Sequence, residues 1–298
     1  MDDHYFCAEA ARERRDRLYG TAPLIETWLL LEHIAPWSPK AFPDDRLSPA
    51  VREYLQRTAH ALPRTRRLLV RQTYDQSGPR RFFVARTAEN HSHMACVIAS
   101  SEEDLLAVDA PALWEHPGAH ACAESMFLVC THGQHDKCCA RFGLATWRAL
   151  RDASPGAAWE CSHVGGDRFA ANLVALPQGI YYGHVQPEDA PALVAAHAAG
   201  RISLRHYRGR TCYSREAQAA EYFIRRETGL LGIDDLRLTS AAEVDRRVWR
   251  VRFESRAGAA AFHEVEIRAR LSPTPGLLTC SAEHPESSRE YELRAWRT

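Results

Sequence analysis

The 298-residue chain is 45% hydrophobic, enough apolar material for one large domain or two ordinary ones without disulfide staples. Its 38 basic and 38 acidic side chains balance, which removes any net-charge argument for a nucleic-acid or anionic-membrane partner. Nine cysteines, an odd number at irregular spacings, do not read as a secreted disulfide framework; in a reducing cytoplasm, clustered cysteine points instead to metal or redox chemistry.

Residues 1–7 begin with acid and show no basic start or apolar middle, so no secretory signal is expected. The apolar stretch at Trp28 to Leu31 is broken by Glu32 and His33, far short of the ~20 apolar residues of a membrane span. A cytoplasmic protein with no membrane and no nucleic-acid partner is expected. Residues 9–18 suggest a helix, 26–32 a buried strand, and 48–62 a second helix. Strands are expected over 67–72, 81–86 and 94–98, with a turn at Ser77-Gly78-Pro79. The run Met126-Phe127-Leu128-Val129 reads as an interior strand that delivers Cys130 at its end.

A helix over 138–153 follows, with Phe142, Leu144, Trp147 and Leu150 as its apolar face and Pro155-Gly156 as its stop. Then come a strand at 158–162, a turn at 163–167, and a hairpin of 171–176 with 180–185. Helices are expected over 189–199, capped by Gly200, and over 214–228. Alternation at 249–253 and 265–268 predicts strands with one wet face. The fold class is therefore α+β, divided into an N-terminal α+β region (1–120), a central region (121–200) and a C-terminal region of a helix and strands (201–298). Arg205, Arg208, Arg210, Arg215, Arg225 and Arg226 read as a solubilising group, with docking of an acidic redox partner as its alternative use.

Between Cys130 and Cys139 stand three thiols and two imidazoles, those of Cys130, Cys138, Cys139, His132 and His135. Thiolates are the soft ligands that iron-sulfur clusters and zinc select, and imidazole suits both metals. A helix start at Cys138 or Cys139 adds partial positive charge that favours a thiolate. Ligand chemistry alone does not choose between iron and zinc.

Val129-Cys130-Thr131-His132-Gly133, Cys138-Cys139-Ala140 and the run from Ser162-His163-Val164-Gly165-Gly166-Asp167 to Asn172 resemble the sucrase/ferredoxin-like proteins. So do Gly179-Ile180-Tyr181-Tyr182-Gly183, Gly20-Thr21-Ala22-Pro23, and Arg208-Gly209-Arg210 with Gln218-Ala219-Ala220-Glu221. The resemblance implies a thioredoxin-like ferredoxin region holding a [2Fe-2S] cluster, one iron on two Cys and the other on an H-x-x-x-H pair. By position the cysteines are Cys130 and Cys139 and the first histidine is His163. Asp167 stands where the second histidine belongs and is the expected fourth ligand, with Cys161 and Cys138 as alternates. Gly165 and Gly166 suit a loop wrapped against a cluster, and Arg168 is expected to bond Asp167, approach the cluster or make an ordinary ion pair.

The implied function is one-electron transfer with an unidentified donor or acceptor protein, a carrier rather than an enzyme. No paired-carboxylate constellation supports glycoside cleavage. Two alternatives remain: a zinc site built from Cys130, His132 or His135, and Cys138 or Cys139, and a thiol-disulfide enzyme using Cys138 or Cys139. The absence of a C-x-x-C pair weighs against the latter.

Overall fold

The computed structural model describes residues 5–42, 47–72, 78–123 and 125–298. Met1 to His4 of the expected start and Ser77 of the expected turn lie outside the described residues. The chain is 29% helical and 31% strand, a mixed α+β protein as its sequence pattern predicts.

Its first segment contains α1 (Cys7–Glu13), β1 (Thr27–Glu32), α2 (Pro49–Ala61), β2 (Thr65–Arg71), β3 (Arg80–Arg86), β4 (His93–Ala99) and α3 (Ala110–Glu115). All six residues of β1 are buried, because β2 pairs with it in parallel and β3 in antiparallel. Ser48 caps α2 by accepting from the Val51 N–H at 3.3 Å, with Pro49 in the first helical turn. Helix α1 stops well before residue 18: Arg15 takes a left-handed φ of 58°. The turned chain brings Asp16 to Arg14 at 3.0 Å and to Arg168 at 3.4 Å.

The middle of the chain forms β5 (Met126–Cys130), α4 (Lys137–Ala153), β6 (Ala158–Cys161), β7 (Leu173–Leu176), β8 (Ile180–Tyr182) and α5 (Ala190–Ala198). Strands β5 and β6 are parallel across the α4 crossover, and β7 and β8 follow as antiparallel neighbours. Their order, β6-β5-β7-β8, with helices after β5 and β8, is that of a thioredoxin-like core.

The rest comprises β9 (Tyr207–Arg210), α6 (Arg215–Thr228), β10 (Leu236–Asp245), β11 (Val248–Ser255), β12 (Phe262–Leu271) and β13 (Arg289–Arg297). One sheet of order β4-β3-β1-β2-β6-β5-β7-β8-β9 takes strands from all three stretches of the chain. Strands β10 to β13 make a separate antiparallel sheet. Its Val251, Phe253, Val265 and Ile267 pack under Ala217, Ala220, Phe223 and Ile224 of α6, while Arg250, Arg252 and Arg268 face water.

Strands β9, β10 and β13 and helix α3 are not evident from the sequence pattern. The four residues of β9 are all buried although two are arginines, and β10 is mostly exposed, so neither shows the apolar alternation of a half-buried strand. Among the described residues no helix is long and apolar enough to cross a membrane.

Candidate metal centre

Strand β5 is buried along its whole length and ends on Cys130, whose Cα pairs with that of Cys161 in β6. Six residues, 131–136, separate the strand's end from helix α4. Asp136 caps it, accepting from the Cys138 N–H at 2.8 Å. Cys139, Gly143, Thr146 and Leu150, at i, i+4, i+7 and i+11, form its buried stripe.

Gly143 sets how closely that stripe approaches β5, since a Cβ there would lie 2.1 Å from the Cys130 carbonyl oxygen. Alanine improves intrinsic helix propensity by about 1 kcal/mol, but here it forces α4 off the strand end. Overpacking of this kind costs about 1–3 kcal/mol. Gly143→Ala is therefore expected to lower stability and to separate Cys139 from Cys130. A melting curve together with metal content checks this; an unchanged or raised midpoint with full metal content contradicts it.

The third wall is the loop from His163 to Asp167, and its backbone is held by side chains from four directions. The His163 carbonyl accepts from Arg66. The Val164 carbonyl accepts from the Tyr181 hydroxyl at 3.1 Å, that of Gly165 from Arg208 at 3.0 Å, and that of Gly166 from Asn172 at 2.8 Å. Gly165 and Gly166 have φ of 96° and 85°, and a Cβ on Gly166 would meet the Arg208 guanidinium at 2.6 Å. Glycine is required there for both conformation and space.

Arg208 is buried and also donates to Asn172 Oδ1 at 2.7 Å, to the Thr21 carbonyl at 2.9 Å and to Thr21 Oγ1 at 3.0 Å. Behind it, Gln218 bonds both N–H and C=O of Ala22 at 3.1 Å and donates to the Arg210 and Tyr213 carbonyls. The Thr21, Asn172, Arg208 and Gln218 motif residues thus belong to one buried polar frame behind the loop. A frame with every group satisfied holds a site to one geometry.

On this frame the ligand atoms of Cys130, Cys139 and His163 converge within 4.8 Å of one another. Cys130 Sγ is 4.0 Å from His163 Nδ1, and Cys139 Sγ is 3.6 Å from Asp167 Oδ1. Asp167 Oδ1 lies 3.2 Å from His163 Nδ1. The neighbouring Cys139 thiol, and after it the His163 imidazole, hold the Cys130 thiol well below its ordinary value. Burial favours a neutral His163, but the adjoining Cys130 thiolate outweighs it and raises the imidazole pKa. Burial pushes the Asp167 carboxyl up against the pull of His163.

Two features of the site escape sequence spacing. His135 stacks on His163 with ring centroids 3.8 Å apart, and its Nε2 is 4.0 Å from Asp167 Oδ2. It forms a second converging group with His163 and Asp167, and with 37% of its side chain accessible it carries the site to the surface. His132, by contrast, has both nitrogens engaged: Nδ1 accepts from the His163 N–H at 3.2 Å, leaving Nε2 to donate to the Ser38 carbonyl at 2.8 Å.

Cys138 points away from this site, toward Cys7 and Cys280. Cys161 packs in the same core as Cys130 but is not among the atoms converging on His163. Chain direction changes after Cys161: β6 ends there, and Ser162 turns its Oγ to accept from the Leu69 N–H at 3.0 Å. Arg168 pairs with Asp16 rather than Asp167. The arginine group expected to solubilise or dock is corrected in part, because Arg208, Arg210 and Arg225 are interior. Arg210 donates to the Ile233 carbonyl and Arg225 pairs with buried Glu221 at 2.9 Å, so interior acceptors satisfy these charges.

A family model described as sucrase/ferredoxin-like matches residues 18–209. No curated protein sequence matches the chain. Two crystal structures, both cysteine-to-serine variants of the thioredoxin-like [2Fe-2S] ferredoxin from Aquifex aeolicus, are similar at 21% identity. Each match covers 28% of this chain and 97% of the other, with a TM-score of 0.25. The match over residues 18–209 includes the strand end at Cys130, the helix start at Cys139 and the carbonyl-braced loop at His163, and the chain belongs to the sucrase/ferredoxin-like family.

Proposed function

We propose that this chain is a cytoplasmic electron-transfer protein that holds a [2Fe-2S] cluster on Cys130, Cys139, His163 and Asp167. The observation that carries this reading is the convergence of two buried thiols and one imidazole at the end of β5. That donor set fits the group: paired thiolates are the usual iron-sulfur ligands, and histidine replaces cysteine on one iron in a recognised class of centres. When bound, such a cluster supplies reversible one-electron oxidation and reduction.

The protein's own groups supply the rest. Cys139 and His163 lower the Cys130 thiol pKa, and the frame around residues 163–167 fixes the loop backbone that carries the imidazole. Burial of both cysteines keeps water from the sulfur side, while the His163 and His135 edges face outward. Beside those edges a cleft of about 330 Å³ is lined by Lys40, Phe42, Arg66 and Arg67, which suits a redox partner with an acidic face.

A second reading of the fourth position rests on His135, whose Nε2 faces the Asp167 carboxylate and whose imidazole is a softer donor than carboxylate. If Asp167→Ala retains the visible spectrum while His135→Ala loses it, the fourth ligand is His135. The thiol-disulfide alternative has less support. The Cys280 sulfur beside Cys138, together with burial, pushes that thiol up to about 12, whereas reactive cysteines have low pKa values and are accessible.

Electron transfer itself is tested by anaerobic reduction with dithionite followed by ferricyanide. The visible bands should bleach, a paramagnetic reduced state should appear, and reoxidation should restore the starting spectrum. Irreversible bleaching with release of iron on the first reduction would sink the carrier role.

A further inference from the structure

We propose that Cys7, Cys138, Cys280 and Asp136 form a second, mononuclear metal site, separate from the Cys130 site, that takes zinc and ties the C-terminal segment to the core. The three sulfurs form a triangle: Cys7 to Cys138 is 3.6 Å, Cys138 to Cys280 is 3.3 Å and Cys7 to Cys280 is 3.5 Å. With a carboxylate oxygen of Asp136, the four ligand atoms lie within 4.8 Å of one another. Tetrahedral zinc with Zn–S of about 2.3 Å places its sulfurs about 3.8 Å apart, so a few tenths of an ångström of expansion accommodates the ion.

Asp136, which caps α4, sets its carboxylate beside the sulfur triangle. It reaches the Cys280 N–H at 2.7 Å through one oxygen and the Cys138 N–H at 2.8 Å through the other. The Cys7 N–H in turn points at Cys280 Sγ, 3.5 Å away. Backbone N–H groups aimed at ligand atoms are the outer support typical of metal-thiolate centres. Cys138 and Cys139 leave α4 about 100° apart, which lets consecutive residues serve different sites.

The soft, closed donor set selects zinc over magnesium or calcium. Three thiolates and a carboxylate leave a doubly negative centre around a divalent ion. The positive end of α4, whose first turn carries Cys138, opposes that excess. The site also supplies what the fold lacks locally. The chain between β12 and β13 has no helix or strand of its own, and a metal joining it to α1 and α4 acts as a staple.

The test is zinc content and visible spectrum after anaerobic purification from zinc- and iron-supplemented cells, for the wild type, Cys7→Ser and Cys280→Ser. One zinc per wild-type chain is expected, falling about tenfold or more in either variant, with iron and visible absorption retained. Wild-type zinc that is unchanged in both variants overturns the proposal. So does a wild-type protein without zinc whose three thiols remain free or form a disulfide by mass spectrometry. Should both variants fail to fold, cobalt substitution of Cys130→Ser, in which the first site is broken, decides: thiolate-to-cobalt charge-transfer bands support the site and their absence overturns it. Zinc without iron or sulfide would leave this site standing and contradict only the cluster reading.

Discussion

Cys139→Ser is expected to lose the visible absorption and the bound iron, whereas Cys138→Ser, one residue earlier, is expected to keep both. Cys139 lies on the stripe of α4 that faces β5 through Gly143 and converges with Cys130 and His163. Cys138 leaves the same helical turn toward Cys7 and Cys280. Serine preserves size and hydrogen bonding but replaces the soft sulfur by a hard oxygen that suits a sulfide-bridged cluster poorly. Iron analysis and reduced-state paramagnetic resonance check the pair of variants. A native signal in Cys139→Ser with loss in Cys138→Ser reverses the assignment.

Arg208→Ala is expected to cost about 3–5 kcal/mol and to loosen the His163 loop. The guanidinium satisfies the Gly165 and Thr21 carbonyls, Asn172 Oδ1 and Thr21 Oγ1, and each buried group left without its partner costs about 1–3 kcal/mol. The losses overlap because water enters part of the space, which keeps the total below their sum. Arg208→Lys should rescue little: an ammonium on a flexible stem does not span acceptors on three segments as a planar five-donor group does. Melting curves and the rate of visible-band loss after chelation measure the two effects. An Arg208→Ala protein with wild-type melting and wild-type retention contradicts the bracing role.

Much of the central scaffold is legible in sequence because it rests on local patterns. Met126 to Val129 is apolar without interruption, Ser48-Pro49 and Ser214 mark helix starts, and Gly229 follows α6 in the left-handed conformation that ends it. The cysteine-histidine density and the Gly-Gly turn mark the candidate site in the same way. Contacts between distant segments are not legible. Cys280 is 142 residues from Cys138 and 273 from Cys7, so no spacing announces their meeting.

The same holds for the arginines. Arg208, Arg210 and Arg225 resemble surface charge until carbonyls from other segments are found against them. His132 and His135 look equivalent in the sequence, yet hydrogen bonds engage both nitrogens of one and stacking sets the other over His163. Which of two nearby histidines can hold a metal depends on what each ring already binds.

The cluster assignment is tested most directly by iron and acid-labile sulfide analysis of protein purified without oxygen from iron-replete cells. The account predicts about two irons and two sulfides per chain, with sulfide and visible charge-transfer bands lost together in Cys130→Ser. Zinc as the sole metal, with no acid-labile sulfide in the wild type, would contradict it.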